Sequence, residues 1–338
     1  MKSHSLSVII LAAGKGTRMK SHRAKVLHEV FFAPMVQHVI DAVASLQPVD
    51  TTIVIGHQGD TVKDTLKKNN DLTFAIQENQ LGTGHAVLSA QDNIKSHDGV
   101  VMILCGDTPL LKSETLREMF DYHLSTNATI TLMTTVLDNP TNYGRIFCDA
   151  TGKISEIVEQ KDCQPEQLSI QEINGGIYCV DKDFLFSALN KVGTDNSQGE
   201  VYLTDIIKIA VSNGRRVEKF RASTPIDILG VNSRIELAAA QKELSMRRND
   251  GLMDQGVTMY NPESITVCPH STIGIDSILH SGVTISNNSS IGESCVISQG
   301  TIVDNCRIGD NVTIEPYCRL VNTEISEGTD VKYTANQS

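Results

Sequence analysis

The sequence predicts two folds in tandem: an open, mostly parallel α/β sheet over the first two thirds of the chain, then a short parallel β-helix. Three observations carry this. Short β-rich runs alternate with longer segments of helical character up to about Pro225. A stretch rich in Ala, Leu, Glu, Gln and Arg from Ile228 to about Arg248 then reads as one helix. From Val267 onward, aliphatic residues recur every six positions, the period of a coil that turns a corner at each rung.

In the first segment the candidate strands are Ser7–Leu11, Thr52–Ile55, Leu72–Ala75, Val100–Leu104, Thr129–Val136 and Gly176–Val180. Helical character falls on Met35–Leu46, Thr61–Lys68, Ala86–Gln91 and Ser113–Leu124. Ligands of such sheets sit beyond the carboxyl ends of the strands. The boundaries expected are 1–227 for the sheet domain, 228–250 for a connecting helix and 251–338 for the coil. Within the coil the inward rungs are Val267, Ile273, Leu279, Ile285, Ile291 and Ile297. The register is then expected to slip by one and to resume at Ile302, Ile308, Ile314 and Leu320. About 65 residues of this period make three to four coils.

A chain of 338 residues with 40% hydrophobic content exceeds one ordinary domain and buries a sizeable core. The formal charge of −11 argues against a general nucleic-acid binder, which needs clustered Lys and Arg to neutralise phosphates. No run approaches the roughly 20 apolar residues of a membrane span, so no membrane partner is expected. Leu6–Ala13 is too short for an export signal and leads straight into Gly14-Lys-Gly16. The eight cysteines contain no C-x-x-C pair and read as buried thiols of a reducing, cytoplasmic compartment. The ten histidines, His85 among them, show no triad or metal spacing and read as packing or surface residues.

The strand ending at Leu11 runs into Ala-Ala-Gly14-Lys-Gly16-Thr-Arg18, with Lys25 a few residues on. Glycine lets backbone N–H groups approach a phosphate, and Arg18 and Lys25 add positive charge. Walker spacing and the third glycine of the dinucleotide fingerprint are both absent. Taken alone, the two glycines are more readily a tight strand-to-helix turn. Likewise Asp107 could simply end a strand, Gln77 could precede an ordinary glycine turn, and Glu159 could belong to a solvated charge cluster with Lys161 and Asp162.

Taken in order, however, the motifs resemble one family. Leu11-Ala-Ala-Gly-Lys-Gly-Thr-Arg-Met19, Gln77-Glu-Asn-Gln-Leu-Gly-Thr-Gly-His85, Gly106-Asp107-Thr-Pro-Leu, Tyr143-Gly144-Arg-Ile, Ile157-Val-Glu159, Asn174-Gly-Gly, Gln198-Gly-Glu-Val-Tyr202 and Gly230-Val-Asn232-Ser-Arg234 follow the order of the sugar-1-phosphate nucleotidyltransferases. Among these, the sequence is most similar to the N-acetylglucosamine-1-phosphate uridyltransferases. The resemblance implies a Rossmann-like open mixed sheet followed by a left-handed β-helix. It also implies transfer of UMP from UTP to N-acetylglucosamine 1-phosphate. Arg18 and Lys25 would be catalytic. Leu11, Ala12, Ala13, Gly14, Lys25, Gln77, Gly82 and Thr83 would hold the nucleotide. Gly144, Glu159, Asn174 and Asn232 would hold the sugar, and Asp107 with Asn232 would bind Mg²⁺. Attack by a phosphate oxygen that is already anionic needs no general base, and the coil implies a homotrimer. Readings that share the loop are a glucose-1-phosphate uridylyl- or thymidylyltransferase and a non-catalytic sugar-nucleotide sensor or assembly module.

Departures from the family are few. Cys105 stands where a tyrosine is usual, Gly175 where a threonine is usual, and Arg23-Ala24 where Leu-Pro is usual. The coil stops short of the segment that carries acetyl transfer in bifunctional relatives, and Val321-Asn322 replaces an Arg-Pro pair, so that second activity is expected to be absent.

Overall fold

Ser5–Leu11 is buried on both faces, as a strand must be when helices cover both sides of its sheet. Its residues alternate accordingly: Leu6, Val8 and Ile10 enter one core, and Ile9 enters the other. The computed structural model describes residues 5–67, 71–95 and 99–333. These fall into two compact units, Met1–Glu29 with Ala33–Arg234 and Val30–Phe32 with Ile235–Ser338.

The first unit is built on a mixed sheet. Along its main path the strands lie in the order Val217–Arg221, Ile130–Val136, Glu172–Asp181, Gly99–Cys105, Ser5–Leu11, Asp50–Ile55 and Leu72–Ile76. Glu172–Asp181 runs antiparallel to both its neighbours, and the remaining pairs on this path are parallel. Gly99–Cys105 and Ser5–Leu11 are side by side with Leu11 opposite Cys105, so the loops that follow them leave from the same edge. Helices Met35–Ala44 and Ser113–Thr126 bury Val36, Val39, Leu116 and Met119 against one face, while Lys182–Leu189 and Asp205–Ser212 bury Leu185, Ile206 and Ile207 against the other.

Several boundaries differ from expectation. The strand expected at Gly176–Val180 starts at Glu172 and is bulged between Asn174 and Tyr178. Short strands Arg145–Cys148 and Ile154–Val158 form an antiparallel pair that the sequence reading missed. Lys68, at the end of one expected helix, lies outside the described residues; that helix spans Gly59–Leu66. The helix expected from Ile228 begins at Arg234 and runs to Asp254, because Pro225–Ile228 forms a separate one-turn helix and Gly230-Val-Asn232 is irregular. Cys148 is exposed, against the expectation of uniformly buried thiols. Among the described residues no helix is long and apolar enough to cross a membrane.

Among the described residues of the second unit, stacked parallel strands form three sheets, one per face, of five, four and four strands. This is the short left-handed β-helix of hexapeptide repeats, and from Val267 onward its described strands make the four coils at the upper end of the expected range. Val267 lies under Ile285, Ile273 under Ile291 and Leu279 under Ile297, one coil being three hexads. Ser245 Oγ and Asn249 Nδ2 on the long helix donate to the carbonyl of Ile265 at 3.0 and 2.9 Å, and Leu252 adds to the coil core.

The register slip falls one rung later than expected. Ile302 pairs with Thr284 and is 38% exposed, whereas Val303 pairs with Ile285 and is fully buried. Six-residue spacing therefore continues to Val303, and the shortened step lies between Val303 and Ile308. The cause is the corner at Asn305-Cys306, where Asn305 takes a left-handed conformation at φ 51°. Asn322 repeats it one coil on at φ 50°, and Asn305 Nδ2 donates to Asn322 Oδ1 at 2.7 Å. Replacing Ile285 by alanine is expected to cost the coil about 3 kcal/mol, since a packed core refills such a cavity poorly. Hydrogen exchange should show lost amide protection confined to the coil strands.

Candidate active site

The loop after Ser5–Leu11 is pinned at its start by Ala12 N, which donates to Val54 O at 2.8 Å. Gly16 has φ 60°, and a Cβ there would lie 2.5 Å from the Cβ of Lys25. Glycine is therefore required twice over, by its backbone conformation and by the passage of the lysine stem. The loop ends in the single turn Thr17–Met19, which carries Arg18; Lys25 opens the single turn Lys25–Leu27. Arg23, in one of the departures from the family pattern, forms a surface pair with Glu29 at 3.1 Å.

The neighbouring strand delivers Asp107 through Cys105-Gly106. Gly106 N donates to Leu11 O at 2.9 Å, and Thr108 Oγ1 closes the turn on Cys105 O at 2.8 Å. Val231 N donates to Asp107 O at 2.8 Å, which sets Asn232 beside the aspartate. Four side chains then converge: Lys25 Nζ bonds to Asp107 Oδ2 and, at 2.6 Å, to Asn232 Oδ1, which also accepts from Arg18 at 2.8 Å. They lie in a cleft of about 610 Å³ that also exposes Leu11, Ala12, Ala13, Gly14, Gln77, Gly82 and Thr83.

On the far wall, Gln77 follows Leu72–Ile76 and its N donates to Ile55 O at 2.8 Å. Its Nε2 donates to Gly82 O at 3.0 Å and lies 3.0 Å from Nδ1 of His85. Gly82, at φ 110°, presses against Val201, and Thr83 Oγ1 accepts from Leu203 N at 3.0 Å.

Gly144, Glu159 and Asn174 do not line that cleft. They form a second cluster, in which Asn174 N donates to Gly144 O at 2.9 Å and Thr204 Oγ1 donates to Glu159 at 3.3 Å. Asn232 lines the cleft. Cys105 joins the two groups: it lines the cleft, and its thiol donates to Gly176 O at 3.7 Å, beside Asn174. Burial and the neighbouring Asp107 carboxylate push that thiol up to about 12, so it stays protonated. A threonine at 175 would require the Ile228 side chain to shift, since a Cβ there would lie 2.8 Å from Ile228 Cδ1.

The sequence reading gave no role to Gln80, Gln198 or Glu200, which also line the cleft. Nor did it find Arg145, 2% exposed, which holds Tyr143 O and donates to Gln160 at 3.1 Å, fixing the chain before and after the sugar-side cluster. The motif Gln198–Tyr202 was the available signal for the first group, because Gln198 Nε2 donates to Tyr202 at 2.8 Å.

Burial raises the Glu159 carboxyl above its usual range, and nearby Asp162, Asp205 and Glu200 add to the effect. The native state therefore keeps this proton to higher pH than the unfolded chain does. Stability falls as pH rises through that window. Glu159→Gln is expected to be more stable than the parent protein at pH 8. Thermal melts across pH should show the gain shrinking to nothing below the ordinary glutamate pKa of about 4.3.

Comparison with known proteins adds a decisive observation. The family described as Nucleotidyl transferase matches residues 7–239. The chain belongs to the nucleotidyl transferase family. This nucleotidyl transferase is 49% identical to the bifunctional protein GlmU of Desulfotalea psychrophila, covering 99% of this chain and 98% of that one. It is 41% identical to bifunctional protein GlmU of Enterococcus faecalis, over 96% of this chain and 70% of the other. Its fold matches a solved Bacillus anthracis chain titled as a glucose-1-phosphate thymidylyltransferase with a TM-score of 0.58, over 70% of this chain and 94% of that chain, at 21% identity. In this nucleotidyl transferase the cleft sits beyond the carboxyl ends of adjacent parallel strands, as open α/β sheets place their ligands.

Proposed function

We propose that the chain transfers UMP from UTP to N-acetylglucosamine 1-phosphate, releasing pyrophosphate, in the cytoplasm. The observation that supports this most is the convergence of Arg18, Lys25, Asp107 and Asn232 at one end of a glycine-walled cleft that presents Gln77 at the other. Cations and glycine backbone receive the triphosphate, and Gln77 with the Leu81–Thr83 turn receives the base. Glu159, Asn174 and Gly144 offer acceptors and a close backbone approach to sugar hydroxyl and N-acetyl groups.

Mg²⁺ fits the residues present. Asp107 and Asn232 aim a carboxylate and a carboxamide oxygen at a single cation, Lys25, and Mg²⁺ prefers such oxygen donors with phosphate oxygens completing its shell. Bound there, it would neutralise charge on the triphosphate. The chain's own share is positioning: Lys25 and Arg18 turn toward the phosphates, and the cleft holds the acceptor phosphate in line with the α-phosphorus. Its anionic oxygen forms the new P–O bond as the bond to pyrophosphate breaks.

Acetyl transfer is not part of the proposal. The two histidines of the coil are an exposed His270 and His280, which packs on Tyr260 at 5.1 Å between ring centroids. A trimer through the coil faces is the assembly proposed, testable by sedimentation. Pyrophosphate release from UTP with N-acetylglucosamine 1-phosphate, with and without Mg²⁺, is the direct test of function. Release only with glucose 1-phosphate, or binding without turnover, would replace this reading with one of its rivals.

A further inference from the structure

The geometry points to His85 as the residue that sets base selection, by locking the Gln77 side chain with its oxygen toward the cleft. Gln77 is 3% exposed, and its Nε2 lies 3.0 Å from both the Gly82 carbonyl and His85 Nδ1. A carbonyl oxygen can only accept, so the NH₂ end of the amide must face Gly82. The second N–H then meets Nδ1, which must carry a lone pair, leaving the ring proton on Nε2. Both amide hydrogens are committed. Oε1 has no partner among the described residues and is not sealed from solvent, while Gln77 lines the cleft. What Gln77 offers a ligand is therefore an acceptor alone.

His85 is itself held in place. It sits in the helix Thr83–Leu88, and its carbonyl accepts from Ser89 N and Oγ at 3.0 and 2.9 Å. An acceptor fixed in this way selects a pyrimidine that presents a ring N–H, as uracil and thymine do at N3. Cytosine brings a lone pair to the same point and would meet the amide oxygen with repulsion. Without His85, the amide keeps only its Gly82 bond and swings more freely, weakening that rejection. His85 is thus a positioning residue that acts through Gln77.

This inference rests on reading the cleft as a nucleotide site. Its test compares kcat/KM for UTP and CTP in the parent protein, His85→Leu and His85→Asn, with dissociation constants for both nucleotides measured alongside. His85→Leu is expected to lower the UTP-to-CTP ratio by about tenfold. His85→Asn, whose side-chain oxygen can accept the same N–H, should recover most of it. Equal losses for both nucleotides, or an asparagine variant no better than leucine, would mark His85 as merely structural and overturn the inference. A parent protein that binds UTP no better than CTP would overturn it too. Absence of turnover in the parent protein would defeat the proposed function instead, and the ratio of dissociation constants would still decide the role of His85.

Discussion

Asp107→Ala is expected to lower kcat for pyrophosphate release by about a thousandfold or more, equivalent to about 4 kcal/mol of transition-state stabilisation. The side chain removed is the carboxylate of the cation-binding pair, and Lys25 is left with Asn232 as its remaining partner here. The fold should survive, because the contacts that place this residue are made by backbone: Asp107 O still accepts from Val231 N, and Gly106 N still reaches Leu11 O. Circular dichroism unchanged from the parent protein, together with the lost rate, is the expected pair of results. Activity within tenfold of the parent would remove Asp107 from the machinery and leave the glycine loop without its proposed metal.

The second large effect is expected at Gly82. A Cβ at this position would lie 2.5 Å from Val201 O and 2.9 Å from Val201 N, at a φ of 110° that other residues rarely adopt. Gly82→Val must therefore displace the turn that supplies the carbonyl for Gln77 and carries Thr83 toward Leu203. We expect kcat/KM for UTP to fall by about a thousandfold, mostly through KM. KM for the sugar phosphate should change little, since Gly144, Glu159 and Asn174 are held by separate bonds. A variant whose two KM values rise together would show that the turn supports the whole site rather than its nucleotide end.

Which parts of this were legible in the sequence follows from the range of the forces involved. Alternation and glycine placement are local, so the strand ending at Leu11 and the turns at Gly14, Gly16 and Gly82 could be read directly. The meeting of Lys25 with Asp107 spans 82 residues, and that with Asn232 spans 207. No periodicity encodes such distances, and the ordered resemblance to a family was the only signal for them. His85 looked like a packing residue because its partner is an amide that the sequence leaves free to point either way. The pair Arg145–Cys148 and Ile154–Val158 was missed because each strand is short and half-exposed, held by pairing rather than by an apolar run.

The coil shows the same limit at finer grain. Ile302 and Val303 are adjacent aliphatics, and six-residue spacing counted forward from Ile297 picks Val303 while the same spacing counted back from Ile308 picks Ile302. The corner at Asn305 decides it, a feature of backbone conformation rather than of hydrophobicity.

That corner has a consequence for how such a chain can change length. From Ile285 to Ile291 the step is six residues, and from Val303 to Ile308 and from Leu320 to Ile325 it is five, yet the rungs stay stacked. The solenoid conserves rungs rather than residues, and the asparagine corner absorbs the difference. A deletion at the corner leaves the interior rungs stacked, whereas one inside a strand would turn that strand's own aliphatic outward. Drift in loop length can therefore accumulate along a single edge of the prism while its interior spacing is passed on unchanged.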